Sequence, residues 1–228
     1  MNLDFFSDLL FPPTCLGCSL DLNDGILCYE CQKNIELFNT LFCGSCSARL
    51  PELKKICHND APYILGAAAR YDDSLVQNLI HTLKFNGVRA AAKPLGILLI
   101  DYVSNLGIDL KKFIVIPVPL SIRRHRGRGF NQSHLIAEYF AHYFCLPLKK
   151  DLLVRILHNK PQSETDDVFE RRENIHGCFS LARVLTAENK NIILVDDVTT
   201  SGTTFNEAAR ILKAGGAKKI FAFAVARA

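Results

Sequence analysis

Residues 192–204 read Ile-Ile-Leu-Val-Asp-Asp-Val-Thr-Thr-Ser-Gly-Thr-Thr, a string in which almost every position has a chemical use. Four apolar residues build a buried strand and deliver two carboxylates, Asp196 and Asp197, to its exit. A turn of small residues follows: Thr199, Thr200, Ser201, Gly202, Thr203 and Thr204. Its hydroxyls and backbone N–H groups can converge on one phosphate, and the helix that starts there adds the partial positive charge of its N-terminus. Paired carboxylates suit the vicinal hydroxyls of a ribose, directly or through Mg²⁺. Other phosphate motifs fit poorly. A Walker loop needs Lys after its glycine, where Thr203 stands, and Gly127-Arg128-Gly129 has Gln132 where a dinucleotide fingerprint needs its third glycine.

A second constellation lies near the N-terminus. Of the nine cysteines, seven fall in 15–57, as the knuckles Cys15/Cys18, Cys28/Cys31 and Cys43/Cys46 followed by Cys57. Two knuckles about ten residues apart present four thiolates to one tetrahedral Zn²⁺. Cys15, Cys18, Cys28 and Cys31 therefore complete one zinc site. Cys43, Cys46 and Cys57 give three ligands of a second, for which Asp60 or His58 supplies the fourth or the site is vestigial. Disulfides are the rival chemistry, but the start MNLDFFSDLLFPPT lacks the basic, uninterrupted apolar pattern of an export signal. A cytoplasmic location is expected. Metal is expected to supply the folding energy of so small a cysteine-rich region. Cys145 and Cys178, among apolar neighbours, are expected to be buried packing residues.

Charge is distributed unevenly. Residues 1–60 hold four Lys/Arg against eight Asp/Glu, while the remainder holds 23 against 15. From 110 to 137 there is no acid, yet Lys111, Lys112, Arg123, Arg124, Arg126 and Arg128 are present. Such a surface suits phosphate-rich ligands or nucleic acid, or is a solvated face. Hydrophobic content of 49% with 22% charged residues fits a folded, water-exposed protein. No apolar run reaches the roughly 18–20 residues of a membrane-spanning helix, so no membrane insertion is expected.

The elements that must position these groups follow from periodicity. Helices are expected over 73–84, 90–105, 131–144 and 203–214, and buried strands over 112–119, 191–196 and 218–226. Such alternation predicts an α/β fold with a parallel sheet covered on both faces, and ligands at the carboxyl ends of its strands. The expected division is a double zinc ribbon over 1–62 and an α/β domain over 63–228.

VDDVTTSGTT resembles the binding motif of class I phosphoribosyltransferases for phosphoribosyl pyrophosphate (PRPP). The whole chain resembles the ComF/GntX family, through RYDDSLVQNLIHTLKFNG (70–87), IPVPLSIRRHRGRGFNQS (116–133), PQS (161–163) and RRENIHGCF (171–179). By that resemblance Asp196 and Asp197 hold the ribose hydroxyls and 200–204 the 5′-phosphate. The arginines 123, 124, 126 and 128 approach the pyrophosphate, and 155–174 is a mobile loop closing over PRPP. Lys84 and Asn86-Gly87 are in reach of the same pocket, with a plain helix C-terminal cation as the alternative for Lys84. The family implies a role in DNA uptake during natural transformation, with single-stranded DNA and other DNA-uptake proteins as partners. A metabolic phosphoribosyltransferase and a PRPP-sensing scaffold are the alternatives. Purine-salvage relatives carry a catalytic Asp where Thr200 stands, and no C-terminal hood follows Ala228, so no catalytic residue is assigned and any acceptor lid is expected from the ribbon or from 63–105.

Overall fold

The computed structural model describes residues 13–50, 57–156, 177–182 and 187–228. In chain order the elements are α1 (Tyr29–Lys33), β1 (Leu41–Cys43), β2 (Arg49–Leu50), β3 (Ile64–Arg70), α2 (Ser74–Lys84) and, after a 3₁₀ turn, α3 (Ala92–Asn105). They continue with β4 (Phe113–Pro117), α4 (Ile122–Arg128), α5 (Gln132–Tyr143), β5 (Leu153–Arg155), β6 (Phe179–Leu181), β7 (Asn191–Thr199), α6 (Thr203–Ala214) and β8 (Lys219–Arg227).

Six strands form one sheet in the order β2-β1-β3-β8-β7-β4. The four from β3 to β4 are parallel, and β1 and β2 join antiparallel at the β3 edge. The sheet is therefore mixed and mostly parallel, since a short cysteine-bearing hairpin extends it. Alternate residues of β7 point to opposite faces, as the pleat requires. Ile193 and Val195 join the core under α2, α3 and α5, while Ile192 and Leu194 pack with α6 and the β5–β6 hairpin. Burial on both faces explains why this strand is continuously apolar in sequence.

β3 was not anticipated, because Gly66 and Ala67, Ala68 and Ala69 favour strand weakly. Their smallness is what the position needs. A Cβ on Gly66 would lie 2.6 Å from the Phe223 ring, so a larger residue would push β3 off β8. The expected helices and strands over 73–144 and 191–226 are present within a few residues, with Asp73 capping α2 by accepting from the N–H groups of Leu75 and Val76 at 2.9 and 3.0 Å. The basic segment expected as a loop forms the short helix α4, capped by the Ser121 hydroxyl and ended by Gly129 at φ 75. Cys178 is buried as expected, but Cys145 is exposed in the turn after α5, at φ 51.

The cysteine-rich half does not stand apart from this core. Ile35, Leu41, Cys43 and Leu50 are buried in the same cluster as α2 and α3. The Phe38 N–H donates to Ala68 O on β3, and Gln32 Nε2 donates to Pro94 O on α3.

Candidate functional site

The carboxyl end of β7 lies between β8 on one side and β4, with α4 beyond it, on the other. Asp197 is buried, and its Oδ1 accepts from Lys84 Nζ at 2.8 Å. Lys84 comes from the last turn of α2, and its ion pair with Asp197 makes it more than a helix-end cation. Asp196 Oδ1 accepts from the Ser133 hydroxyl at 2.6 Å and from the Asp197 N–H at 2.9 Å. Ser133 is placed by Asn131, whose side chain caps α5 through the Ser133 N–H and donates to Val118 O at 3.0 Å. Asp196 keeps some exposed surface, yet protein atoms crowd its carboxyl closely. That burial, together with the charge of Asp197, pushes it up to about 7, against the pull of Ser133 and Lys84.

Among the described residues, His134 Nδ1 apart, three side-chain atoms are buried without a hydrogen-bond partner: Asp197 Oδ2 at this centre, Gln132 Oε1 next in sequence to Ser133, and Arg128 Nη1. Two are acceptors and one is a donor, and leaving such groups unpaired costs about 1–3 kcal/mol each. A bound dication or sugar hydroxyls would satisfy the two oxygens, and an anion would satisfy the guanidinium. Burial lowers Arg128 from its ordinary value, the Asp197 carboxylate raises it, and Arg124 lowers it again. The donor set thus fits Mg²⁺ held by Asp196 and Asp197.

Beyond β7 the turn leads into α6 through Gly202, whose φ of 72 suits glycine. Among the described residues no side chain caps α6, so its first N–H groups are available to a ligand. Thr200 and Ser201 are exposed, and the hydroxyls of Ser201 and Thr203 lie 2.6 Å apart. Thr199 is buried, its carbonyl accepting from the Ala228 N–H. Behind the turn Tyr63 packs on Phe205, and its hydroxyl donates to Gly202 O at 3.5 Å. On the other flank a cleft of about 530 Å³ is lined by Lys84, Phe85, Arg123, Arg124 and Arg128. Arg126 does not line it. Sequence reasoning missed Ser133, Gln132 and Tyr63. The first two sit in Asn-Gln-Ser immediately after the basic segment, whereas no local signal marks Tyr63.

The cysteines gather into two sets. Sulfurs of Cys15, Cys18, Cys28 and Cys31 lie within 4.8 Å of one another, as do the ligand atoms of Cys43, Cys46, Cys57 and His58. Sulfurs at 2.3 Å from a tetrahedral zinc are about 3.8 Å apart, and Cys18 and Cys28 are 3.8 Å apart. His58 Nδ1 stands 3.5 Å from Cys43 Sγ, which makes His58 rather than Asp60 the fourth group. Burial raises the Cys15 thiol, but the N–H groups of Cys28, Cys18 and Gly17 outweigh it and leave it at about 6. Hydrogen bonding to Cys28, with burial and the other sulfurs, pushes Cys31 up to about 12. Four thiols that hinder one another's ionisation are a fitting cage for a dication, which removes the conflict. Gly17 is required there, since a Cβ would meet Cys31 Sγ at 2.8 Å. Gly44 in the third knuckle is required too, because its Cβ would overlap the backbone carbonyl oxygen of Tyr63.

The segment 155–174, expected to close over the ligand, lies outside the described residues beyond Ile156. At Gly177, where the described residues resume, the N–H donates to Glu207 on α6 at 2.6 Å.

Comparison with known proteins agrees with both halves. A double zinc ribbon domain matches residues 6–59, and a phosphoribosyl transferase domain matches residues 136–228. The chain is 29% identical over 228 residues to competence protein F of Haemophilus influenzae, covering 94% of this chain and 96% of that protein. It is 28% identical over 218 residues to competence protein ComFC of Bacillus subtilis, covering 90% and 85%. The DNA utilization protein YhgH of Salmonella typhimurium is 32% identical over 153 residues, 65% and 66% of the two chains. Among the described residues no helix is long and apolar enough to cross a membrane.

Proposed function

The chain belongs to the ComF family, a double zinc ribbon joined to a phosphoribosyltransferase domain, and we propose that it binds PRPP with Mg²⁺ at the exit of β7 and handles incoming single-stranded DNA in the cytoplasm during DNA uptake. The observation that carries the PRPP reading is the pattern of unsatisfied atoms. Among the described residues, an acceptor on Asp197 at the strand end, an acceptor on Gln132 beside Ser133 and a donor on Arg128, which feels the Asp197 charge, lack partners, and the α6 N-terminus is uncapped. A ligand with sugar hydroxyls in its middle, one phosphate at one end and pyrophosphate at the other meets each of these needs. Asp196 and Asp197 take the hydroxyls or the metal, 199–204 the 5′-phosphate, and Arg123, Arg124 and Arg128 the pyrophosphate. Mg²⁺ would there neutralise charge on the pyrophosphate and the carboxylates. The guanidiniums stabilise the charge that gathers on pyrophosphate.

The DNA reading draws on the names of the relatives and on the same cations. α4 and its flanks carry Arg123, Arg124, Arg126 and Arg128 with no acid, and Arg123 and Arg124 are exposed. A single strand would be attracted through its phosphates without sequence preference. The test is fluorescence anisotropy of a labelled oligodeoxythymidylate with and without saturating Mg²⁺ and PRPP. Binding should weaken with salt by about 0.7 log units per log unit of salt for each phosphate contacted. PRPP should weaken it, and Arg123→Ala with Arg124→Ala should weaken both ligands. Undetectable DNA affinity at low salt would restrict the basic helix to the pyrophosphate.

A further inference from the structure

Two chains of contact join the second cysteine cage to the phosphate turn. The knuckle of that cage is closed by the Cys43 N–H donating to Ala48 O and the Ser47 N–H donating to Cys43 O, both at 2.8 Å. In the first chain, Gly44 of the knuckle lies against the Tyr63 backbone, with no room for a Cβ between them. Tyr63 is buried, and its hydroxyl donates to Gly202 O at 3.5 Å. The same oxygen accepts the first helical bond of α6, from the Asn206 N–H at 2.8 Å. Among the described residues no side chain caps α6 at Gly202, so Tyr63 holds from outside the residue on which the helix starts. In the second chain, Ser47 O accepts from Arg227 Nη1 at 3.3 Å. Arg227 is paired in register with Thr199, whose carbonyl accepts from the Ala228 N–H at 3.0 Å. The other half of the cage arrives beside the first chain. Cys57 Sγ stands 3.6 Å from Cys46 Sγ and His58 Nδ1 3.5 Å from Cys43 Sγ, and His58 precedes Tyr63 by five residues. The first cage meets other elements: a Cβ on Gly17 would lie 3.3 Å from Leu75 of α2, and Gln32 donates to Pro94 O of α3.

We propose that zinc in the second cage and a phosphate in the turn strengthen each other's binding, with Tyr63 as the positioning residue between them. Zinc would tie residues 57–58 to the knuckle, and so fix Gly44 against Tyr63 and Tyr63 against Gly202. Without it the knuckle can part from 57–58, and the Gly202 carbonyl loses the support of one of its two donors. The turn must then be ordered when the phosphate arrives, which weakens binding; in the loaded protein it is ordered beforehand. The effect is reciprocal: if zinc tightens the turn for phosphate by some factor, phosphate tightens the cage for zinc by the same factor. The first cage, seated on α2 and α3, stands outside this linkage. The identity of the phosphate ligand rests on the PRPP reading, but the connection from cage to turn does not.

The test is two measurements on the full chain. The first is hydrogen exchange of the amides of 199–206, read by mass spectrometry without ligand. Exchange should be about ten-fold slower in the zinc-loaded wild type than in His58→Ala. His58→Cys, which rebuilds the cage with a fourth thiolate, should restore the slow exchange. The second is competition for zinc with a chromophoric chelator, with and without saturating Mg²⁺ and PRPP. PRPP should tighten one of the two zinc ions of the wild type about ten-fold and leave the remaining zinc of His58→Ala unchanged. Tyr63→Phe keeps the ring on Phe205 and loses only the hydroxyl, so it should hold both zinc ions while the coupling falls about three-fold. Exchange at 199–206 that ignores His58→Ala, or PRPP binding that leaves both zinc affinities of the wild type unchanged, would overturn the proposal. Zinc-dependent exchange of the turn in a protein that binds no PRPP would keep the link from cage to turn and discard the PRPP reading.

Discussion

Lys84→Met is the perturbation that most directly probes how the carboxylate pair is held. Met keeps most of the apolar stem of Lys84 but removes the Nζ that stands 2.8 Å from Asp197 Oδ1. The side chains are 19% and 5% exposed, so little water is available to replace the lost cation. Removing one member of a buried pair costs about 3–5 kcal/mol, chiefly because the other charge is stranded. Lys84 keeps some contact with water, which puts the expected loss near the lower end, about 3 kcal/mol. For a chain of this size that is a fall in Tm of about 6–12 °C. Adding Asp197→Asn removes the stranded charge, so the double variant should be more stable than Lys84→Met alone. Mg²⁺ should raise the Tm of Lys84→Met more than that of the wild type, because a dication can take the place of the ammonium. Differential scanning calorimetry of the four proteins of the cycle, with and without Mg²⁺, reads all of this. If the two single losses simply add in the double variant, the pair is not coupled and the reasoning is refuted.

Gly202→Ala forces a side chain into a left-handed backbone and sets its Cβ 2.8 Å from the Tyr63 hydroxyl, so it should cost about 1–3 kcal/mol and weaken PRPP binding; calorimetry measures both. Zinc content by elemental analysis should be about two per chain, falling to about one in Cys15→Ser, while His58→Ala should lower occupancy of the second site alone. The pH dependence follows from Asp196, whose carboxyl titrates near 7 when folded against an ordinary 3.8. Between those values the folded protein holds a proton that the unfolded chain has released. The ligand-free protein should therefore lose this contribution to stability as pH rises towards 7, as denaturation at several pH values would show. Metal binding needs the ionised form, so affinity for Mg²⁺ with PRPP should rise about ten-fold per pH unit below 7 and level off above it.

Much of the site was legible because its signals are local. A buried strand, two acids and a glycine turn occupy consecutive residues, and each cysteine knuckle spans four. What escaped is set by contacts distant in sequence. Tyr63 supports Gly202 across 139 positions, and Ser133 reaches Asp196 across 63. Composition reads 15–57 as a small module that metal alone holds together, yet Leu41 and Leu50 are buried in the α/β core, and β1 pairs with β3. Removing the ribbon would therefore strip β3 of its neighbour and uncover Tyr63, so PRPP affinity should not survive that truncation. β3 itself was hidden because its small residues answer to Phe223 and Tyr102 on neighbouring elements, which no local propensity registers. The basic segment became a helix because Ser121 caps it and Phe85 receives Arg128 at 5.5 Å.

The most direct test of the central claim is isothermal titration of PRPP into the zinc-loaded protein, with and without Mg²⁺, for the wild type and for Asp196→Asn with Asp197→Asn. The account predicts a one-to-one complex that requires Mg²⁺ in the wild type and no measurable heat of binding in the double variant, with its sheet intact by circular dichroism. PRPP bound equally well by both proteins would contradict it.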